Sequence, residues 1–330
     1  MELLQGSVER IFSLSITLQS GTNIRCDYCE CTTMKSRRRL VSQLQDSEAP
    51  TRTLFGAARE ARVTRPEHLP DFTNPPLNEV VLGIQFAPSR TFQRIFAYEV
   101  WQLYRDAFPH VQEHPPLMPT FETFGLPSAQ QFNIGFGPEP TRFWFLSPKQ
   151  EELIQFQNDK LLHNWRKVGD QTNQYPRFEK MIVNFEKEIK TLENYFMSSA
   201  RQKLEINQCE ISYINHIYPG TGDDALRLTD ILRFAQFGAQ QPDDISISFR
   251  NTIYDEHQRP MGRVICEAQT AINNLDQRSM VVLTITARGA PRDTTISSAL
   301  NFLKLGREMV VKTFTEVTTD LCHERWGRTQ

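Results

Sequence analysis

Five polar or amphipathic side chains lie close together near the middle of the chain and could bind a ligand. Gln155 and Gln157 belong to one predicted strand, and Asn164, Trp165 and Arg166 belong to the next. The amides donate and accept hydrogen bonds, the guanidinium offers a planar fork of donors, and the indole offers a flat apolar surface. This combination is typical of a site that recognises a planar or anionic group. The structural alternative places Trp165 in the hydrophobic core.

The strand after the second long helix adds Glu210, Asn215 and His216 to this set of candidate binding residues. Carboxyl and imidazole groups transfer protons in many enzymes, and a guanidinium can hold an anionic substrate. We therefore keep an enzyme as the alternative function, with Glu210, His216 and Arg166 as acid, base and anion clamp. The structural alternative is that Arg166 forms an ion pair with Glu79 or Glu210.

Residues 110–114 spell His-Val-Gln-Glu-His, the pattern of an inverted zinc protease motif. That chemistry requires both histidines on one helical face, one turn apart. Pro109 precedes the pentapeptide and Pro115 follows it, so a continuous helix is not expected there. The match is therefore interpreted as a chance one. The sequence also contains no Gly-x-Ser-x-Gly elbow and no phosphate-binding loop of the Gly-x4-Gly-Lys type.

Three clustered cysteines, Cys26, Cys29 and Cys31, are the nearest approach to a metal site in the sequence. A structural zinc ion needs four ligands, normally supplied as two pairs, and no histidine lies within thirty residues of the cluster. We interpret these cysteines as free thiols and expect neither a metal nor a cofactor. Three further cysteines are expected to be small buried residues: Cys209, Cys266 and Cys322.

Alternating strands predict a sheet with one apolar face and one polar face. Residues 245–253 and 281–288 alternate apolar side chains with serine, threonine and arginine, and Glu267 and Gln269 occupy polar positions between them. The polar face is the surface on which we expect a ligand or a protein partner to bind. An ordinary solvated face is the alternative interpretation.

Hydrophobic periodicity divides the chain into three predicted helices and eight predicted strands. The helices are expected around 92–107, 178–196 and 294–325, and Asp293 is the expected N-cap of the third. The strands are expected at 80–86, 142–146, 153–157, 161–166, 209–217, 245–253, 263–271 and 281–288.

The fold class that follows is α+β, with a mostly antiparallel sheet of about eight strands and three helices packed on one face. Several connections are shorter than the dozen residues that a parallel crossover needs. The order is β-α-β-β-β-α followed by β-β-β-β-α. Each half then has four strands and ends in a long helix, which leaves a pseudo-duplication open.

The domain is expected to begin at Leu69, where a proline-rich extended segment leads into the first strand. Residues 1–68 show no sustained periodicity and are expected to be a disordered N-terminal extension or the result of an upstream start-site assignment. A functional arm is the alternative. Residues 69–330 are predicted to form a single domain.

Charge argues against a nucleic-acid-binding protein. The formal net charge is −2 and the isoelectric point is about 6.4, whereas such proteins usually carry a basic stripe. No secretory signal and no apolar run long enough to span a bilayer occur, so we expect a cytoplasmic protein with no membrane partner. A protein partner, a small ligand and self-association all remain open.

Several sequence blocks, including Asn-Pro-Pro-Leu-Asn-Glu-Val-Val at 74–81, resemble a sporadically distributed family of uncharacterised bacterial and archaeal proteins. The other blocks lie at 155–160, 164–167, 175–176, 209–216 and 323–328. The family typically starts near Leu69 of this chain, which supports the predicted boundary. The resemblance implies no activity. The sequence therefore favours a non-catalytic module that binds a ligand or protein on the polar sheet face.

Overall fold

The computed structural model describes residues 65–88, 96–124, 141–199, 202–220, 222, 225–238, 242–274 and 276–330. Nearly all of the predicted extension lies outside these ranges, and so does the cysteine cluster at 26–31. The assignment of residues 1–68 as an extension of a 69–330 domain therefore stays a prediction.

Nine strands of the described chain form one open sheet, in the order β2-β3-β4-β5-β1-β6-β9-β8-β7. Every neighbouring pair is antiparallel, which confirms the predicted α+β class with an antiparallel sheet. The strands are β1 (Leu77–Phe86), β2 (His110–His114), β3 (Arg142–Leu146), β4 (Glu152–Gln157), β5 (Lys160–Arg166), β6 (Ile206–Ile217), β7 (Ser246–Tyr254), β8 (Pro260–Ile272) and β9 (Ser279–Gly289).

The prediction of about eight strands missed β2, which is the edge strand formed by the His-x-x-Glu-His pentapeptide. Its first four residues are exposed, so it carries no apolar alternation that could have indicated a strand. Antiparallel pairing with β3 places His110 opposite Leu146 and His114 opposite Arg142. The two histidines are separated by an extended backbone, so they do not form a helical zinc-binding pair.

Within the described residues, the first half of the sheet has five strands and the second has four, so the prediction of four strands in each half is wrong for the first. In each half the first strand is central, the later strands run from the edge back towards it, and a long helix follows. The central strands β1 and β6 pair with each other and join the halves. A common origin of the two halves stays a prediction.

Five helices occur within the described residues, where three were predicted: α1 (Phe96–Tyr104), α2 (Phe178–Ser199), α3 (Leu228–Ile231), α4 (Ile296–Val317) and α5 (Asp320–Arg325). The predicted third helix is interrupted at Thr318 and Thr319, and the Thr319 side chain caps α5 by accepting a bond from the Cys322 N–H. No helix in the described ranges combines the length and apolarity of a membrane span.

The N-cap of α4 is Thr295, whose side chain accepts a hydrogen bond from the Ser298 N–H, and not the predicted Asp293. Asp293 instead accepts a bond from the Thr295 N–H at 2.9 Å. Further along α4, Gly306 allows the helix to approach the sheet closely. A Cβ at this position would lie 2.8 Å from a methyl group of Ile211 and 3.1 Å from the Cβ of Ala287.

Helices α1, α2 and α4 pack on one face of the sheet, which we call the helix side. This core also contains a buried ion pair. Both oxygens of Glu188 on α2 lie within 3.0 Å of Nδ1 of His163 on β5. The Tyr104 hydroxyl of α1 donates to the Glu188 backbone carbonyl at 2.9 Å. These contacts fix the position of α2 relative to β5 and α1.

The opposite face of the sheet, which we call the second face, is crossed by residues 115–124, here called the strap. Gln157 holds the strap twice: its Oε1 accepts from the Leu117 N–H at 2.9 Å and its Nε2 donates to the Leu117 carbonyl at 2.8 Å. Gln85 accepts from the Thr120 N–H at 3.1 Å. Glu122 then contacts Arg263 at 3.1 Å. Part of the predicted polar face is therefore covered by the chain itself.

Candidate anion-binding pocket

The Asn164-Trp165-Arg166 tripeptide does not form one surface, because successive side chains of a strand point to opposite faces. Trp165 is 1% exposed and packs in the core on the helix side, with its ring centroid 5.1 Å from that of Tyr175. Asn164 and Arg166 point to the second face. Trp165 is thus a core residue, as the structural alternative proposed.

The predicted candidates Gln155 and Asn164 are buried links in a hydrogen-bonded chain across the second face. Arg142 donates to Gln155 Oε1 at 2.8 Å, Gln155 Nε2 donates to Asn164 Oδ1 at 2.9 Å, and Asn164 Nδ2 donates to Glu79 at 2.6 Å. Trp144 Nε1 also donates to Gln155 Oε1, at 3.1 Å. All five side chains are buried, so these amides serve the fold and are not presented to a ligand.

Three basic groups surround the ring of Trp144 at the β2–β5 end of the second face. The His114 ring stacks on it at 3.9 Å, and the guanidinium carbons of Arg142 and Arg166 lie 5.6 and 5.4 Å from its centroid. Burial lowers the pKa of Arg142 to about 10. Burial also lowers the pKa of His114, and both arginines lower it further, which favours the neutral imidazole.

The predicted acid, base and anion clamp do not converge. Glu210 and His216 lie six residues apart along β6, a separation of about 20 Å in an extended strand. Glu210 is already paired, because Arg288 Nε donates to it at 2.6 Å. Arg166 lies on β5, two strands away from β6, and its Nε donates to the Gln150 carbonyl at 3.1 Å.

Polar groups do gather in a cavity on the helix side, which we call the arginine–tyrosine pocket. It lies where the chain enters β1, where the β5–α2 connection ends, and against α4. Its volume is about 530 Å³ including the open mouth. The lining side chains are those of Arg65, Pro70, Asp71, Phe72, Pro75, Leu77, Tyr175, Arg177, Phe178, Tyr213, Asn215, Arg307, Val311 and Phe314.

Arg307 of α4 is the most buried charged group of this pocket, with 2% of its surface exposed. Its Nη2 contacts Glu179 at 3.1 Å, and its guanidinium carbon lies 5.5 Å from the centroid of Phe178. Its Nε is buried and has no hydrogen-bond partner among the described residues. A buried N–H without an acceptor is costly, so this donor marks a position that an acceptor would stabilise.

Two further arginines of the pocket, Arg65 and Arg177, both contact the carboxylate of Asp71. Arg177 Nη1 bonds Asp71 at 2.9 Å, and Arg65 Nη2 lies 3.5 Å from the same carboxylate. The Arg65 Nε is a second buried N–H without a partner in the described chain. Arg177 has a φ of 73°, a left-handed conformation that is uncommon outside glycine. This backbone strain directly before α2 is of the kind often stored at functional sites.

Two tyrosine hydroxyls complete the polar lining. The oxygens of Tyr175 and Tyr213 are 3.0 Å apart, and either can donate to the other. Burial raises the pKa of both phenols, that of Tyr175 well above its usual value. Both therefore remain protonated donors at neutral pH. Asn215 is fixed beside them, because its Nδ2 donates to the Leu283 carbonyl at 3.1 Å.

Of the eight candidates predicted from sequence, only Asn215 lines this pocket. The three arginines were missed. The position of Arg307 could have indicated its role, because it falls on the inward stripe of α4 between Leu303 and Val310, where a charged residue is unusual. No sequence pattern indicated a role for Arg65, since it precedes the predicted domain boundary.

Comparison with protein-family models, curated proteins and solved structures finds no match to this chain. The predicted family resemblance, for example at 209–216, accordingly stays a prediction. Within the described ranges, no group of three or more His, Cys, Asp or Glu side chains is arranged to hold a metal ion.

Proposed function

We propose that this protein binds a small organic anion in the arginine–tyrosine pocket. The observation that carries the proposal is the buried Nε–H of Arg307, a residue that lines the cavity, because this N–H has no acceptor in the described chain. Arg65, which also lines the cavity, has a second buried Nε–H without an acceptor. An anionic oxygen would accept from such donors, and charge-assisted hydrogen bonds are among the strongest in proteins.

The shape and lining of the pocket support an organic ligand over an inorganic ion. Apolar side chains make up half of the walls: Pro70, Phe72, Pro75, Leu77, Phe178, Val311 and Phe314. These walls would enclose an apolar part of the ligand while the arginines hold its charged group.

The protonation states of the lining groups support binding over acid–base catalysis. Burial raises the pKa of Tyr175 and Tyr213, so neither phenol is a ready base at neutral pH. Burial alone would raise the pKa of Asp71, but its hydrogen bond to Arg177 and the charge of Arg65 reverse this and lower it. Asp71 is therefore an ionised, paired carboxylate and a poor proton acceptor.

A non-catalytic ligand-binding module agrees in kind with the function expected from the sequence, but the proposed site differs. It lies on the helix side and not on the polar second face, and it shares only Asn215 with the predicted candidates. The separation of Glu210, His216 and Arg166 gives the alternative of an enzyme no support.

The test is a thermal-shift panel of benzoate, phenylacetate, phenyl phosphate and benzenesulfonate on the full chain. A ligand at 100 times its dissociation constant adds about 2.7 kcal/mol to the free energy of unfolding. At least one anion is expected to raise the midpoint of the wild type and of the control Arg292→Gln. Arg292 is exposed and lies outside the pocket.

The same anion should fail to shift Arg307→Gln. If that variant does not melt cooperatively, Arg177→Gln replaces it, because the Arg177 side chain is half exposed. A panel without any shift, or an equal shift in the pocket variant, would overturn the proposal.

A further inference from the structure

The charge balance of the arginine–tyrosine pocket constrains the charge of its ligand. Arg65, Arg177 and Arg307 are accompanied by two carboxylates, Asp71 and Glu179, each in contact with an arginine. Three positive and two negative groups leave one positive charge. A monoanion would neutralise it, whereas a phosphate ester carries about −1.5 to −2 at neutral pH and would leave a partly buried negative excess.

The number of available donors also suits a small anionic group. Only one hydrogen can lie between the Tyr175 and Tyr213 oxygens, which are 3.0 Å apart. The hydroxyl that accepts this bond keeps its own hydrogen to offer to a ligand. The Nε–H groups of Arg65 and Arg307 likewise have no acceptor in the described chain. A carboxylate has two oxygens that can accept from donors of this kind.

The apolar part of the pocket is dominated by flat rings. Phe72, Phe178 and Phe314 line it together with Tyr175 and Tyr213. Phe72 and Phe314 meet edge to face, with centroids 5.5 Å apart and planes at 89°. An aromatic ring of a ligand would gain edge or face contacts with side chains of this kind.

Building on the proposed anion-binding function, we infer that the ligand is a monocarboxylate bearing an aromatic group. Its carboxylate accepts from the Arg307 and Arg65 Nε–H groups and one tyrosine hydroxyl, and its ring lies among Phe72, Phe178 and Phe314.

The experiment is isothermal titration calorimetry of the full chain, in a buffer free of carboxylates and phosphate. The probes are phenylacetate, phenyl phosphate, 2-phenylethanol and acetate. Phenylacetate is expected to bind at least tenfold more tightly than each of the others, because only it combines one negative charge with a ring. Arg307→Lys keeps the positive charge but removes the Nε–H, and it should weaken phenylacetate binding at least tenfold.

The outcomes separate the two levels of the proposal. Phenyl phosphate binding as tightly as phenylacetate would overturn the monocarboxylate inference and leave the anion pocket standing. Acetate binding as tightly would remove the aromatic requirement and overturn the inference in the same way. If neither phenylacetate nor phenyl phosphate binds, the proposed function fails together with the inference. An unchanged affinity of Arg307→Lys would remove the assigned role of the Arg307 Nε–H.

Discussion

The buried guanidinium of Arg142 is joined to the buried carboxylate of Glu79 by two amide side chains across four neighbouring strands. Gln155 accepts a hydrogen bond from Arg142 and donates one to Asn164, which donates in turn to Glu79. Across three strand spacings the two charges are about 14 Å apart. No ion pair between Arg142 and a carboxylate occurs among the described residues; its guanidinium donates to Gln155, and its buried Nε has no hydrogen-bond partner there.

Removing one amide of this hydrogen-bonded chain should destabilise the protein strongly. Gln155→Ala leaves Arg142, Trp144 and Asn164 without their partner in a buried position, and we expect a loss of about 3–5 kcal/mol in the free energy of unfolding. Chemical denaturation measures it. The control is Gln174→Ala at an exposed position, where a change within about 0.5 kcal/mol is expected. Equal stability of both variants would show that the hydrogen-bonded chain contributes little to the free energy of unfolding.

Stability should fall above neutral pH because of the His163–Glu188 pair. Burial alone would lower the pKa of His163, but the charge and hydrogen bond of Glu188 outweigh it and the net shift is upward. A raised folded-state pKa gives stabilisation that is complete below the unfolded pKa of about 6.5 and disappears as the pH rises through the folded value. The Tyr104 hydroxyl, which also contacts Glu188, stays protonated because burial raises its pKa well above the usual value.

Unfolding free energies measured from about pH 6 to pH 9 test this expectation. The wild type should lose stability across this range more steeply than Glu188→Gln, which removes the charge that raises the His163 pKa. Parallel pH profiles for the two proteins would mean that His163 does not titrate as the pair requires.

Gly306→Ala should destabilise the protein although alanine favours a helix by about 1 kcal/mol over glycine. The added Cβ would lie 2.8 Å from Ile211 Cγ2 and 3.1 Å from Ala287 Cβ, so α4 must move away from the sheet. We expect a net loss of about 1–3 kcal/mol by thermal or chemical unfolding. Asn301→Ala, on the exposed side of α4, should be neutral or slightly stabilising. A stabilised Gly306→Ala would contradict the close packing of α4 on β6 and β9.

The strap should loosen when its acidic anchor is removed. Glu122 is largely buried and contacts Arg263 at 3.1 Å and Arg288 at 3.5 Å. Glu122→Ala should speed hydrogen exchange of the Leu117 and Thr120 amides by about tenfold, which corresponds to about 1.4 kcal/mol. Glu256→Ala removes an exposed ion pair with Arg292 and should leave both amides unchanged. Equal exchange in the two variants would show that Glu122 does not hold the strap.

Much of the fold could be predicted from the sequence, because buried residues recur with the period of a helix or a strand. All eight predicted strands are present, and their β-branched and aromatic residues alternate or run continuously as buried strands do. Strand β2 was missed because an exposed edge strand needs no apolar pattern. The break between α4 and α5 was missed because Leu321 and the residues before it continue a helical spacing, while two threonines end one helix and cap the next.

The candidate site was less readable, because its residues come from distant parts of the chain. Composition drew attention to Gln155, Asn164 and Trp165, which prove to be buried structural groups. The pocket instead unites Arg65 and Arg307, which are far apart in sequence and become neighbours only when the chain before β1 packs against α4. Residue type alone did not distinguish a buried hydrogen-bonded chain of amides from a ligand site, since both require polar groups on strands.

Anion binding in the arginine–tyrosine pocket can be tested by titrating phenylacetate into a variant whose pocket is filled without loss of charge. Val311→Trp places an indole in the cavity and leaves the three arginines and both tyrosines in place. We predict saturable binding to the wild type and at least tenfold weaker binding to Val311→Trp, with both proteins melting cooperatively. Equal affinity for the two proteins would show that the anion binds elsewhere and would contradict the assignment of the arginine–tyrosine pocket.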